Sequence, residues 1–194
     1  MLSSSLATAQ TEPTVMVNRT EQTSSLEVDA RSIRFVSAAT AKIAATTVIA
    51  SGYGMGFTKY FAPVFGLNIE LGQIFGDSQG STSAILTSLG VALRCRPFAQ
   101  HMLLRESAVV DGRSFVTTNY ERQGEVFLSL GVSQLTINTS KGAVPYNGLV
   151  LGIGYEMPFL DSWGARIMIS RTSASNDKTS ISVTTTLLGL SYAL

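Results

Sequence analysis

Residues 65–72 of this chain have the sequence FGLNIELG, in which apolar and non-apolar residues alternate without a break. Side chains along a β-strand point alternately to its two faces, so this spacing predicts a strand with one apolar face. The apolar face would carry Phe65, Leu67, Ile69 and Leu71. The opposite face carries glycine, asparagine and glutamate, which fill a polar lumen better than they fill an oily core.

The same period of two recurs along the rest of the chain. We predict eight strands, of which seven lie at about residues 31–43, 48–61, 65–75, 82–95, 125–137, 146–157 and 179–194. The seventh strand in chain order follows the connection 158–163 and includes the alternating residues 165–170. Strands of roughly 10 to 14 residues are long enough to cross a bilayer at the usual tilt. The sequence therefore predicts an all-β fold, an antiparallel up-and-down transmembrane β-barrel.

The composition agrees with this prediction and excludes other classes of protein. The chain of 194 residues has 14 basic and 13 acidic residues, so no strong electrostatic field would recruit nucleic acid. Only 14% of residues are charged and the mean hydropathy is +0.25, yet no run of about 18 apolar residues could form a transmembrane helix. One cysteine, Cys95, excludes an internal disulfide, and one histidine leaves little for a zinc site. We therefore expect no metal and no cofactor.

Two parts of the chain lack the alternation. Residues 1–30 are rich in Ser, Thr, Glu and Gln and are predicted to be a flexible N-terminal arm outside the barrel domain of residues 31–194. In the arm, Ala7-Thr8-Ala9 fits the cleavage pattern of a secretory signal without the usual basic region, so a signal remnant and a chance match stay open. Residues 97–123 are an irregular connection that would be an extra hairpin, a short helix or a plug-like loop.

Proline occurs beside an aromatic residue in every second connection of the predicted barrel. These connections follow the second, fourth and sixth strands, so they would share one end, where an even strand number also places both termini of the barrel domain. In bacterial barrels this end faces the periplasm. Four aromatic residues there are candidates for a membrane-interface girdle: Phe61, Phe98, Phe159 and Trp163. The alternative is that these rings simply pack over the turn prolines.

Residues 31–194 resemble the small eight-stranded outer-membrane β-barrels of the OmpA/OmpX type. The most specific match is the sequence LLGLSYAL of residues 187–194, in which Gly189, Tyr192 and Leu194 fit the family's assembly signal. The chain departs from that signal at Leu187, where the family has a polar residue, and at Leu194, where it has Phe or Trp. The sequence GYGMGF of residues 52–57, followed by a proline turn, is similar to the family's second strand. The resemblance implies insertion in the bacterial outer membrane by the barrel-assembly machinery.

Four charged residues fall on the face predicted to point into the barrel: Glu70, Arg94, Glu156 and Arg166. In a barrel of eight strands the side chains just fill the interior, so these charges would pair with or solvate one another. They would then form a structural network that seals the lumen. The alternative is a narrow pore for small solutes, lined by the same groups.

An enzymatic function is not expected from this sequence. Small outer-membrane barrels that act on lipids or peptides use a histidine near the outer rim, whereas His101 falls in the irregular connection predicted at the other end. A Ser-His-acid arrangement would therefore lack its base on the correct side of the barrel.

The expected role is structural or interactive. Connections at the presumed outer end, near residues 43–47, 76–81, 138–145 and 174–178, are short, which disfavours a large adhesive surface. The predicted partners are the lipid bilayer and an unidentified protein. One alternative is a soluble calycin-like barrel that binds a small ligand, although its outer face would then consist of glycine and serine rather than charges. Another is an oligomer that buries the apolar faces against protein.

Overall fold

The structure is a computed structural model that describes residues 15–37, 47–78, 81–99, 103–110, 112–117, 124–139, 142–159 and 162–194. Within these ranges the chain forms eleven β-strands. They are β1 Val15–Gln22, β2 Ser24–Ser37, β3 Thr47–Tyr60, β4 Phe65–Ser78, β5 Ser81–Cys95, β6 Leu103–Val110, β7 Arg113–Thr117, β8 Glu125–Thr139, β9 Gly142–Pro158, β10 Trp163–Ser175 and β11 Ser180–Ala193. In the same ranges no helix has the length and hydropathy to span a membrane.

Eight of the described strands close into an antiparallel barrel in the order β2-β3-β4-β5-β8-β9-β10-β11, and β11 pairs with β2 to complete it. This confirms the predicted all-β fold and the eight-stranded antiparallel barrel. The β4–β5 ladder has one irregularity, between Ile74 and Phe75, where the register shifts. The extra residue is Ile85 of β5, since Ile74 lies opposite Leu86 and Phe75 lies opposite Ala84. On β4 the inward positions continue through the buried Ile74, so the apolar alternation of the sequence breaks there because an apolar residue points inward.

The barrel has two rims, which we name by the strand ends they hold. The proximal rim holds the start of β2 and the end of β11, together with the connections β3–β4, β5–β8 and β9–β10. The distal rim holds the connections β2–β3, β4–β5, β8–β9 and β10–β11. The three connections that pair proline with an aromatic residue therefore share the proximal rim.

The predicted boundary of the barrel at residue 31 is corrected by the structure. Strand β2 begins at Ser24 and pairs with both β3 and β11, so part of the predicted arm belongs to the barrel wall. Residues 26–31, LEVDAR, alternate regularly, but their inward members are all charged, which gives the segment the composition of a polar arm. Residues 1–14, including the possible cleavage pattern, lie outside the described residues.

A second sheet of three strands, in the order β1-β6-β7, extends from the proximal rim. Only Thr23 separates β1 from β2, and the β6–β7 hairpin belongs to the connection between β5 and β8. The segment predicted as irregular at residues 97–123 thus contains a hairpin, one of the three forms considered. The hairpin pairs with β1 from the predicted arm, from Val15 opposite Val110 to Gln22 opposite Leu103.

Apolar side chains are exposed on the outer wall from the proximal rim through the middle of the barrel. The outward residues of β9 form an unbroken apolar run: Leu149, Leu151, Ile153, Tyr155 and Met157. The odd-numbered residues of the stretch 65–71 are likewise exposed on the outer wall, while Asn68 and Glu70 point inward. The face assignment that the alternation predicts for this stretch therefore agrees with the structure.

The polarity of the two faces reverses near the distal rim. There the outward residues of β10 are Arg171, Ser173 and Ser175, whereas the inward side chains of several strands form an apolar core. This core consists of Ile33, Ile74, Leu86, Leu135, Ala174, Ile181 and Val183. The lumen is therefore not polar throughout, which corrects the expectation from the sequence.

Candidate functional site

Charged side chains line the lumen in the proximal part of the barrel. Three of them lie on β2, and one each on β4, β5 and β10, because alternation along a strand turns every second residue inward. In the order of their contacts they are Arg94, Glu27, Arg166, Asp29, Arg31 and Glu70. Positive and negative groups alternate along this series, which we call the charge chain.

Glu27 is the most heavily bonded carboxylate of the charge chain. It forms ion pairs with Arg94 on one side and with Arg166 on the other. Thr58 Oγ1 donates a hydrogen bond to Oε1 at 2.8 Å, and Asn68 Nδ2 donates one to Oε2 at 3.3 Å. The side chain of Glu27 is 0% exposed and those of the two arginines are 1% exposed. Because burial removes their hydration, these charges depend on one another for stabilisation.

Asp29 connects the centre of the charge chain to its far end. Its Oδ2 lies 3.8 Å from Nη2 of Arg166, and its Oδ1 accepts a hydrogen bond from Nε of Arg31 at 2.5 Å. Nη2 of Arg31 lies 3.5 Å from Oε2 of Glu70. The charge chain contains three positive and three negative groups, so its formal charge is zero.

Two inward glycines leave room for the guanidinium group of Arg31. A Cβ atom added at Gly72 would lie 2.5 Å from Nη1 of Arg31 and 2.6 Å from Oγ of Ser88, so a side chain there would have to displace them. Gly54 on the neighbouring strand β3 faces the same guanidinium group. The glycines of the sequence GYGMGF thus include one that provides space for a large cation inside a narrow barrel.

A separate group of side chains lies at the proximal mouth of the lumen, around Arg96. Its guanidinium group pairs with Oε2 of Glu125 at 3.1 Å and lies over the ring of Tyr60, 4.0 Å from the ring centroid. Nε and Nη2 of Arg96 donate to the backbone oxygen of Pro63 at 3.0 and 2.7 Å. Arg96 thereby joins the β3–β4 turn to the start of β8.

Glu156 of β9 is a further buried acid near the charge chain. Its Oε1 accepts a hydrogen bond from Oγ of Ser191 at 2.6 Å, and its backbone lies opposite Arg166 in the β9–β10 ladder. All three residues are buried. Glu156 is therefore held by a hydroxyl group of β11 within the same part of the lumen.

A small cavity separates the charge chain from the apolar core near the distal rim. Its volume is about 20 Å³, which is room for about one water molecule. Arg31 and Glu70 line the cavity on the charged side, and Ile74, Leu86 and Leu135 line it on the apolar side. A charged layer and an apolar layer therefore follow each other along the lumen.

The four charges selected from the sequence all point into the lumen. Glu70, Arg94 and Arg166 belong to the charge chain, and Glu156 lies next to it. The inward orientation that the alternation predicts is therefore found for each of them. Their role as a seal is not tested by position alone and stays a prediction.

Sequence reasoning misses the acids that connect these charges. Glu27 and Asp29 fall in the segment assigned to the N-terminal arm, so they are not considered as lumen residues. The signal that identifies them is the strict alternation of apolar and charged residues in LEVDAR, residues 26–31. Thr58 and Asn68 are also missed as Glu27 donors, because only the closed barrel brings these strands together.

The aromatic residues predicted for a girdle all lie at the proximal rim and are exposed: Phe61, Phe98, Phe159 and Trp163. Trp163 also packs against Tyr192, with the ring centroids 5.0 Å apart. In the predicted assembly signal, Leu194 is exposed, Tyr192 faces outward and Gly189 faces inward. These positions are compatible with an interface girdle and an assembly signal, and both roles stay predictions.

The histidine and the cysteine considered from the sequence form no metal site in the described part of the chain. His101 lies outside the described residues. Within the described ranges, no group of three or more His, Cys, Asp or Glu side chains is arranged to hold a metal ion. Cys95, the last residue of β5, is a free thiol.

Solved structures provide the comparison with known proteins, because no protein-family model and no curated protein matches the sequence. Neisserial surface protein A has a TM-score of 0.60 at 8% identity, with 88% of this chain and 97% of that chain covered. The N-terminal β-barrel domain of Pseudomonas aeruginosa OprF has a TM-score of 0.54 at 13% identity, with 90% and 100% covered. The outer membrane protein OprG of the same organism has a TM-score of 0.50 at 12% identity, with 90% and 97% covered. At these identities the likeness concerns the fold alone, and this chain has the fold of the small eight-stranded outer-membrane β-barrels.

Proposed function

We propose that this protein is an integral outer-membrane barrel with a sealed lumen and a structural or interaction role. The observation that carries the proposal is the segregation of side chains between the two faces of the wall. Except near the distal rim, apolar residues are exposed outside and charged residues are buried inside. A soluble calycin-like barrel needs the opposite arrangement, because water favours a polar outer surface and apolar side chains favour the core.

The height of the apolar band supports membrane insertion. The outward apolar run of β9 extends from Leu149 to Met157, which is roughly 27 Å along an antiparallel strand. At the usual strand tilt this corresponds to roughly 20 Å along the barrel axis, close to the band of about 25 Å in outer-membrane barrels. The exposed aromatic residues at the proximal rim lie at one edge of the band, where an interface girdle is expected.

The contents of the lumen favour a sealed barrel over a narrow pore. An ion that passed the charge chain would have to separate Glu27 from its two buried arginines, which are expensive to leave unpaired. It would then meet the apolar core near the distal rim, which offers no replacement for hydration. A sealed barrel acts through its wall and its rims rather than through transport.

Envelope fractionation with gel mobility tests the membrane part of the proposal. The folded protein should stay in the detergent-extracted envelope, float with lipid vesicles, and migrate faster before boiling than after it. Recovery in the soluble fraction without detergent would contradict membrane insertion and favour the calycin-like alternative.

Planar-bilayer recordings test the sealed lumen. We expect no unitary currents from the wild-type barrel in concentrated KCl. The double variant Arg166→Ala/Leu135→Ala removes side-chain volume from both the charge chain and the apolar core, so it should conduct. Arg166→Ala alone should not conduct, because the apolar core remains. Reproducible unitary currents from the wild type would establish the narrow pore instead.

We infer that the proximal rim faces the periplasm, as in other barrels with an even number of strands. The three-stranded sheet β1-β6-β7 would then face periplasmic partners. Asp177→Cys lies in the exposed β10–β11 turn at the distal rim, and Ala99→Cys follows β5 at the proximal rim. In a Cys95→Ser background, a membrane-impermeant maleimide should label the first variant in intact cells and the second only after the outer membrane is opened. The reverse result would invert the orientation.

A further inference from the structure

Two arginines lie on the outer wall at the distal end of the apolar band, on strands separated by β11. Arg171 of β10 is paired with Thr184 of β11, and Thr184 is paired with Arg34 of β2. All three side chains face outward, and both arginines are exposed. Because neighbouring strands are about 4.8 Å apart, the Cα atoms of the arginines are separated by about 10 Å.

Hydroxyl groups lie beside the two arginines, and no carboxylate among the described residues pairs with either of them. Thr184 lies between them, and Oγ of Ser182 accepts a hydrogen bond from Nε of Arg171 at 3.1 Å. In the described part of the chain, neither guanidinium group forms an ion pair with a carboxylate. Two positive charges and several donors are thus left available on a small area of the wall.

The residues opposite the two arginines on the next strands, β9 and β3, are apolar. Arg171 lies opposite Leu151 of β9, and Arg34 lies opposite Ile49 of β3. Leu151 is 63% exposed and Ile49 is 75% exposed. A ligand at the arginines would therefore meet apolar wall beside its charged group, which is the surface that an amphipathic molecule requires.

The outward residues of β8 near the distal rim show that the positive charge does not extend to that part of the described wall. On β8, which is distant from β11 and β2 in the strand order, the described outward residues near the distal rim are Gln134, Thr136 and Asn138. These side chains are uncharged. The arginine pair is therefore a local feature and does not belong to a uniform positive belt around the barrel.

We propose that Arg34 and Arg171 form a binding site for the phosphate group of an anionic membrane lipid. Guanidinium groups bind phosphate oxygens in a bidentate manner, and two of them within reach of one head group add charge complementarity. The hydroxyls of Thr184 and Ser182 supply further polar contacts, while the acyl chains lie along the apolar wall near Leu151. The site rests on the membrane insertion proposed above and adds lipid selectivity to it.

The test measures which lipids stay with the protein. Wild-type barrel is incorporated into nanodiscs of phosphatidylcholine and phosphatidylglycerol at a ratio of four to one, re-extracted in a neutral detergent, and analysed for retained lipid. We expect phosphatidylglycerol to be enriched at least twofold over its share in the disc. Arg34→Gln/Arg171→Gln should lose the enrichment, and Arg34→Lys/Arg171→Lys should keep part of it, because lysine retains the charge without the bidentate geometry.

The matched control is Lys59→Gln/Arg113→Gln, which removes two exposed positive charges near the proximal rim and in the second sheet. This variant should keep the enrichment. The proposal is overturned if the wild type shows no enrichment or if both double variants lose it equally. Soluble glycerol phosphate added in excess should not displace the lipid, and displacement would identify a site for free phosphate. Failure to enter nanodiscs at all would instead contradict membrane insertion.

Discussion

The substitution Glu27→Gln tests the charge chain at its most heavily bonded member. Glutamine has nearly the same volume as glutamate, so the change removes a charge without opening a cavity. Arg166 would keep Asp29 at 3.8 Å. Arg94 would keep the hydroxyl of Thr58 at 2.9 Å, the ring of Phe127 at 4.6 Å and a weaker electrostatic attraction to the carboxylate of Glu156.

The expected cost follows from the burial of the two arginines. Removing one partner of a buried ion pair destabilises a protein by about 3–5 kcal/mol, because the remaining charge stays desolvated without compensation. Nε of Arg94 already lacks a hydrogen-bond acceptor in the described part of the chain, so the loss of Glu27 is not offset there. We therefore expect Glu27→Gln to lower the free energy of unfolding by about 3–5 kcal/mol.

The assay is urea unfolding of the barrel folded into lipid vesicles, followed by the fluorescence of Trp163, the one tryptophan of the chain. Glu125→Gln is the matched control, because that side chain is 21% exposed and pairs with Arg96. It should cost less than Glu27→Gln, because Arg96 keeps its two hydrogen bonds to the carbonyl of Pro63 and its contact with the ring of Tyr60. The reasoning is refuted if Glu27→Gln costs no more than this control. A double variant, Glu27→Gln/Arg94→Met, should recover stability relative to Glu27→Gln, since it removes one unpaired charge.

Three further predictions concern other parts of the barrel. Gly72→Val should destabilise the barrel by about 1–3 kcal/mol in the same urea assay, because its side chain would displace the Arg31 guanidinium group; unchanged stability would show that the lumen is wider than described. Arg96→Gln should speed amide hydrogen exchange in the β3–β4 turn, because the carbonyl of Pro63 loses the two hydrogen bonds donated by the Arg96 side chain, with no change in the distal turns. Tyr192→Ala should lower the heat-modifiable fraction in cells more than Leu188→Ala on the same outer face; equal effects would contradict an assembly signal.

The reversal of polarity near the distal rim affects how the barrel sits in a membrane. Outward polar residues such as Arg171 and Ser173, with apolar residues such as Ile74 and Leu86 inside, are the arrangement of a barrel surrounded by water. The distal part of the wall would therefore stand beyond the hydrocarbon layer. In this arrangement its apolar core would stabilise it, and the charge chain would lie at the level of the lipid.

The alternation of apolar residues in the sequence determined the barrel, the approximate positions of its eight strands and, away from the distal rim, their faces. In residues 65–72 the period of two is a local property, so it assigns Glu70 to the inside before any partner strand is known. The same reasoning turns Arg94, Glu156 and Arg166 inward. Three connections carry proline beside an aromatic residue, and the sequence also placed them at one rim. Consecutive strands of an up-and-down barrel run in opposite directions, so every second connection lies at the same end.

Only the tertiary structure decided which charges meet. Glu27 reaches Arg94 and Arg166 because β11 closes onto β2, and this closure joins segments from opposite ends of the sequence. The pairing of β1 with β6 was likewise decided by the tertiary structure. Backbone hydrogen bonds between distant segments produce no pattern in the sequence of either segment. The alternation of residues along a strand indicates whether a side chain points into or out of the barrel. Which side chains it meets across the lumen depends on strand order, register and closure.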